Sequence, residues 1–337
     1  MAAVEASPEQ RLRGILVLAG RTLAVAGAYL LAGRLGLVRE LVVEGAVFTP
    51  IWPPTGVAVA ALLYFGLSAW PGIALGVLGV MLSITTDLQP AAIGTVVGST
   101  AAPVCAYLML RAVGFRPSLS RLRDGLALVF LGALAAMLIS ATAGAGLLVL
   151  TDKIAPHSFW PVWLGWWVGD AMGVLIVTPA LILLSRIRLP LRLSRWPEAL
   201  ALGVTAAVVV PVACYGTLSL LYMVYPLLIW AALRFQLAGS IMCALASSVV
   251  ATVAATDGAG SFSNLSHVEV MVKLQAFNGS MALTALLLSA VITEQQNTRR
   301  SVERACQELV EVLEHLTAGD APQGRGPADD SGPDPFD

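Results

Sequence analysis

An all-α integral membrane protein is predicted for this chain: a polytopic bundle of eight to ten transmembrane helices with a short cytoplasmic C-terminal helix and a disordered tail. Three observations predict it. Apolar residues make up 57% of the chain and charged residues 12%, whereas a soluble domain carries about a quarter charged. Several apolar runs reach the ~20 residues that cross a ~30 Å hydrocarbon core. The arginines gather in a few short connections, and positive charge in short loops marks the cytoplasmic side of a membrane. The net charge of −1 carries no information on nucleic acid, and the sequence holds no long basic stripe or nucleotide-binding signature.

The first 13 residues are polar, with Arg11 and Arg13 just ahead of the first apolar run. That run is too long for a cleavable signal and reads as an uncleaved anchor. Apolar segments fall at roughly 14–37, 51–67, 69–87, 90–111, 124–150, 160–185, 197–214, 217–233, 237–256 and 270–293. The second and eighth are short or interrupted by proline, so each reads either as a full span or as re-entrant. With ten crossings, three arginine groups share the cytoplasmic side with both termini. These are Arg111, Arg116, Arg121 and Arg123, then Arg186, Arg188, Arg192 and Arg195, then Arg299, Arg300 and Arg304. The outward loops are short and carry Arg39, Glu40 and Glu44, then Asp87, then Asp152 to His157, then Asp257 to Glu269. A sensed ligand is therefore a small solute, a membrane component or a partner protein. The division along the chain is 1–13 cytoplasmic segment, 14–293 membrane domain, 294–316 cytoplasmic helix and 317–337 tail.

Cys105, Cys214, Cys243 and Cys306 form no C-x-x-C pair and read as small hydrophobes, with no metal site and no cofactor expected. His157, His267 and His315 neighbour no nucleophile or metal-ligand motif, so no enzyme is expected.

The membrane domain is organised around Phe159 to Leu183, FWPVWLGWWVGDAMGVLIVTPALIL. Trp160, Trp163 and Trp167 recur at helical spacing, and Asp170 continues that face near the middle of the span. A carboxyl group there costs roughly 2.5–3.5 kcal/mol on insertion scales unless satisfied. Asp170 reads either as a structural contact between helices or as a ligand-, proton- or signal-sensing group facing a cavity. Arg21, inside the first segment, is the cation placed to reach toward it. Pro179 removes a backbone donor from the same helix and kinks it. Pro53 and Pro54 forbid a helix interior. The backbone around them either lines a cavity walled by Trp52, or starts a helix with an interfacial tryptophan. Arg234 snorkels at the end of its segment, and Glu269 and Lys273 anchor the last one at the interface. IWPPTGVAVAALLYFGLSAWPGIALG and YPLLIWAALRFQLAGSIMCALA share a layout, the kind of echo that duplicated transporter halves also show.

Several ordered motifs resemble one family. TPIWPPTGVAVAALLYFG followed by AWPGIALG resembles the opening signature of the first type of bacterial membrane-associated sensor domain. WWVGDAMGVLIVTP is similar to its central signature, and PLLIWAALRFQLAGS with LQAFNGSMALTALLLSAVITEQ to its final third. The resemblance covers about residues 14–297. It places Trp52, Pro53, Pro54, Gly56, Gly169, Asp170, Pro179 and Arg234 at signature positions. It implies a bacterial inner-membrane sensor of signal transduction, serving a histidine kinase, diguanylate cyclase or phosphodiesterase. It supplies no ligand.

After Ile292 the chain continues TEQQNTRRSVERACQELVEVLEHL. Val302, Cys306, Leu309, Leu313 and Leu316 alternate by four and three, either as the seam of a homodimer or partner coiled coil or as one face of an amphipathic helix. The remaining residues are rich in Pro, Gly and Asp and read as a disordered acidic tail. No output module is expected, so the function expected is a sensor or regulatory module in contact with lipid that acts through a partner. A small-solute permease, a scaffold and a decayed kinase remnant are the alternatives.

Overall fold

The structure is a computed structural model that describes residues 8–38, 41–43, 46–84, 90–119, 121–186, 195–216 and 218–319. Arg39, Glu40, Glu44, Asp87, Arg188, Arg192 and the tail from residue 320 lie outside the described residues, as does the side chain of Leu316. The chain divides into two compact units, Met1–Glu294 and Gln295–Asp337.

The first unit starts with helix α1 (Pro8–Gly36), followed by a small antiparallel ribbon, β1 (Leu41–Val43) against β2 (Ala46–Phe48), that pairs Leu41 with Phe48. Strands were not expected there. Helix α2 (Pro53–Phe65), a tight turn at Gly66–Ala69 and α3 (Trp70–Ile84) come next, then α4 (Pro90–Ala112). The following span is α5 (Leu122–Ala127), a π-helical stretch Leu128–Ala135 and α6 (Met137–Leu150). The next is α7 (Phe159–Met172), a π-helical stretch Gly173–Val177 and α8 (Thr178–Arg186). Then come α9 (Trp196–Tyr215), α10 (Val224–Thr256) and α11 (His267–Gly319).

Among the described residues, 8 helical stretches are long and apolar enough to cross a membrane. Two of them, Pro53–Ile84 and Leu221–Thr256, double back. Helix α3 runs parallel to α1: a Cβ on Gly72 would lie 2.6 Å from Thr22 O, and one on Gly76 2.6 Å from the Tyr29 Cβ. Helix α2 runs the other way. Its start meets Gly36 through Pro53, and its end, Phe65, lies under the Arg21 guanidinium. The reversal falls at Gly66, whose φ of 68° suits glycine. In α10 the break is at Gln236, with φ 54° and ψ −138°. Its first limb ends with Arg234 paired to Glu198 at the start of α9. The second limb returns, so that Ser261 Oγ just beyond it donates to Ala213 O, 3.2 Å away near the end of α9. Segments 51–67 and 217–233 are thus the first limbs of hairpins, and among the described residues the apolar stretches make ten passes rather than eight.

Small residues make this packing close. Lipid tails are as apolar as leucine, so helix association in a membrane rests on van der Waals contact and interhelical hydrogen bonds. The main core joins Leu128, Met137, Val174, Leu175, Ile176, Leu228, Ile241, Leu274 and Met281, and a second cluster centres on Tyr29, Leu62 and Ile73. A third cluster joins Ala145, Ile154, Val162 and Met271, and many other large apolar side chains stand outward, as a lipid-solvated bundle requires.

Ahead of Pro179 the helix widens into the π-helical stretch Gly173–Val177, because the proline ring clashes with the carbonyl one turn back and supplies no N–H. Helix α11 runs from His267 to Gly319. Cys306 is exposed rather than buried, while Cys214 and Cys243 are buried and Cys105 is partly so. In the second unit, Arg299 Nε donates to Glu303 Oε1 at 2.9 Å across one turn. Val302, Leu309 and Leu313 are each more than half exposed.

Candidate functional site

The central feature is the seating of the Trp52–Gly56 segment on the middle of the Pro156–Arg186 span. Trp52 N–H donates to Gly169 O at 2.9 Å. Gly169 lies ten residues into α7, about 15 Å along the axis at 1.5 Å per residue. Helix α2 therefore begins at membrane depth, where unpaired backbone donors are costly. A helix start leaves four such donors. Here Trp52 N–H is bonded to Gly169, and Pro53 and Pro54 have none. The paired prolines remove the donors that lipid cannot satisfy. The segment is a helix start with proline in its first turn, and its backbone is seated on Gly169 and Gly173.

Thr55 is 2% exposed. Its hydroxyl is shared between Trp52 O at 2.8 Å and Asp170 O at 3.0 Å. Thr178 Oγ1, in α8, donates to Gly56 O at 3.0 Å. Gly56 sits on the Gly173 carbonyl and Gly173 on the Trp52 carbonyl, backbone against backbone. A Cβ on Gly169 would stand 2.8 Å from Thr49 O. Gly165, Gly169 and Gly173 repeat every four residues, the small-xxx-small spacing that lets backbones approach. That spacing was the available signal for Gly173, which the motif reading passed over.

Asp170 is 2% exposed. Ser140 Oγ of α6 donates to its Oδ2, and the Trp166 side chain is a second hydrogen-bond partner. The Trp166 ring fills the notch at Gly144. Tyr29 of α1, 1% exposed, lies within electrostatic reach of Asp170 and hydrogen-bonds with Trp52. The site thus draws on α1, α2, α6 and α7.

Its tryptophans also tie α7 to α6. Trp163 Nε1 donates to Thr142 Oγ1 at 3.0 Å, and Trp167 Nε1 to Leu134 O at 2.8 Å. Leu134 lies in the π-helical stretch Leu128–Ala135, the kind of bulge where the regular ladder is interrupted and a carbonyl can take a side-chain donor. The rings of Trp160, Trp163 and Trp167 follow one another at 5.8 and 5.7 Å between centroids, as their spacing predicts.

Of the residues singled out from sequence, Trp52, Pro53, Pro54, Gly56, Gly169, Asp170 and Trp167 come together here. Pro179 follows Thr178, which binds Gly56 O. Arg234 does not join them: it makes a two-point contact with Glu198, with Nε to Oε2 at 2.8 Å, at the arginine-bearing end of α9. Arg21 does not reach Asp170 either. Its guanidinium lies 5.5 Å above the Phe65 ring at the far end of α2. Glu269 caps the start of α11 through Ser266, and Lys273 Nζ donates to Ser261 O. Tyr29, Thr55, Ser140, Trp166, Gly173 and Thr178 are the site residues that reading the sequence missed.

The site also touches α11. The methyl of Met172, two residues from Asp170, stands 3.8 Å from where a Cβ on Gly279 would be. Helix α11 is further held by Ser248 Oγ donating to the buried Asn278 Oδ1 at 2.8 Å. Among the described residues, no group of three or more side chains is placed to hold a metal ion.

A family model, MASE1, matches residues 21–296. No curated protein and no solved structure matches the chain.

Proposed function

The chain belongs to the MASE1 family of membrane-associated sensor domains, and we propose that it senses at the Asp170 site and signals through α11 to a kinase or cyclase partner. The observation that carries this reading is the burial of Met172 in one apolar core with Leu274, Met281 and Ala282 of α11. It makes the Asp170 site and α11 neighbours in one packed core. A ligand that favours one arrangement of α1, α2, α6 and α7 then biases the position of α11, because a packed interface shifts between discrete states. The exposed apolar residues Val302, Leu309 and Leu313 are the output surface. Burial of such a stripe, at ~25 cal/mol per Å², drives pairing with a second helix. The segment is short for a coiled coil in isolation, and anchorage in the membrane supplies the local concentration.

Crosslinking tests the output. Leu309→Cys in a cysteine-free background is oxidised in native membranes. A strong homodimer band is expected for self-pairing, and a band that requires a second protein for pairing with a partner. Absence of both bands from properly inserted protein would sink the reading.

The orientation proposed is bacterial inner membrane with both termini cytoplasmic. It rests on the two hairpins, which bring the arginine-bearing connections to one face. Cysteines introduced at Ser68, Ser118 and Ser263 test it. An impermeant thiol reagent added from outside should label position 263 alone. After permeabilisation, positions 68 and 118 should label too. Labelling of 118 from outside, or an unreactive position 68, would overturn the map.

A further inference from the structure

We infer that an open groove between α1 and the α2–α3 turn binds the phosphodiester headgroup of an anionic phospholipid. The groove is lined by Arg13, Gly14, Val17, Leu18, Arg21 and Ser68, and measures about 530 Å³. Gly14, Val17 or Leu18, and Arg21 recur at helical spacing and form one face of α1. The Ser68 hydroxyl is already donated to Phe65 O at 2.8 Å, so the free donors of the groove are the two guanidinium groups. Neither arginine has a carboxylate partner among the described residues. Arg21 rests on the Phe65 ring, 5.5 Å from its centroid.

The surroundings identify the ligand as an amphiphile. Val17 and Leu18 line the groove, and Ile15 and Leu16 beside them are also exposed. An acyl chain can lie along this wall while a phosphate meets the arginines. The groove also sits at the right height. A Cβ on Gly66 would stand 3.7 Å from the Tyr107 hydroxyl, and Tyr107 is one turn from Arg111 at the end of α4. The α2–α3 turn therefore lies at the arginine-rich face, where anionic lipid attracts basic side chains by about 1 kcal/mol each. A fully soluble phosphate would leave the apolar wall uncovered, so the lipid is the occupant. This site is separate from Asp170 and does not depend on the signalling role.

Native mass spectrometry of the full chain in mild detergent tests the inference, with phosphatidylglycerol and phosphatidylcholine supplied in equal amounts. One phosphatidylglycerol should be retained in preference to phosphatidylcholine. Arg13→Gln with Arg21→Gln should weaken its retention roughly 25-fold, and Arg13→Gln alone about fivefold. Arg13→Lys with Arg21→Lys should keep most of the preference, and Arg299→Gln with Arg300→Gln all of it. Lipid-free melting of each variant reports that it is folded. Equal retention of the two lipids would overturn the inference. So would unchanged retention by the glutamine pair, or full displacement of the lipid by excess inorganic phosphate, which would mark a site for a soluble anion.

Discussion

Gly173→Val is expected to abolish stable packing of the membrane bundle, and Gly56→Val to do nearly as much. Each glycine lies against a backbone carbonyl of the other strand of the contact, Gly56 on Gly173 O and Gly173 on Trp52 O. A flexible side chain could turn aside from a new methyl group; a carbonyl held in a helix cannot. Overpacking of a core ordinarily costs about 1–3 kcal/mol, and here the upper end is the floor. The seating of Trp52–Gly56 would have to lift off α7. The bonds Trp52 N–H to Gly169 O and Thr178 Oγ1 to Gly56 O would go with it, at membrane depth where neither group finds water. Thermal unfolding in detergent is the measurement, and a fall of at least roughly 4–5 °C is expected, which corresponds to about 3 kcal/mol at ~2.1 cal/mol/K per residue. Gly20→Ala and Gly27→Ala are the controls. Nothing lies within 4 Å of a Cβ at either position, and alanine favours a helix interior by up to ~1 kcal/mol. If Gly173→Val melts with the parent protein, the glycine contact between α2 and the Gly173–Val177 stretch is not present in solution.

What the sequence disclosed follows from the range of the interactions. The polytopic helical class was legible because it depends on apolar runs alone. The importance of Trp52, Pro53 and Pro54 was legible because two prolines constrain backbone locally wherever they fall. The reversal at Gly66 was harder to see. Leu67, Ala69 and Trp70 carry the apolar run straight through it, so composition joins α2 and α3 into one stretch of 32 residues. Positive charge on the connections separated the two cases, since arginines on one face require the hairpin. The break at Gln236 falls between the segments read at 217–233 and 237–256. It places a non-glycine residue at positive φ, for which no local residue pattern is diagnostic.

The partners of Asp170 were not legible. Ser140 is 30 residues away in the chain, and Tyr29 comes from the first helix. Both are ordinary helix residues whose role depends on which faces meet. Charge pairing suggested Arg21 instead, and that choice fails on height. Arg21 stands beside Phe65 at the end of α2, whereas Asp170 stands beside Thr55 near its beginning. In a membrane a hydroxyl and an indole suffice to satisfy a buried carboxyl group, and a cation can stay at the interface. The three glycines Gly165, Gly169 and Gly173 were the one local clue that another backbone crosses α7 at this depth.

Asp170→Asn is expected to leave the protein inserted and folded while shifting the Leu309→Cys crosslinked fraction about fivefold, and Asp170→Leu to lose the fold. The difference lies in the hydrogen-bond inventory. Asparagine keeps a carbonyl oxygen for the Ser140 hydroxyl and fills the same space. It exchanges the other acceptor oxygen for a donor, so the second partner, Trp166, meets an N–H instead of an acceptor. Leucine removes both acceptors, which leaves the Trp166 side chain unpaired in a buried site at about 1–3 kcal/mol, while the Ser140 hydroxyl keeps only Met137 O at 3.1 Å. Only the asparagine variant therefore reads out signalling. Rearrangement around Trp166 moves α7, and α7 carries Met172 into the core it shares with Leu274 and Met281 of α11. A coupling of ~1 kcal/mol between site and helix gives the fivefold shift, and couplings of this kind run to ~3 kcal/mol. Crosslinking in native membranes, with insertion checked by labelling at position 263, measures it. If well-inserted Asp170→Asn crosslinks as the parent does, Asp170 is a structural contact between α6 and α7, and sensing lies elsewhere in the membrane domain.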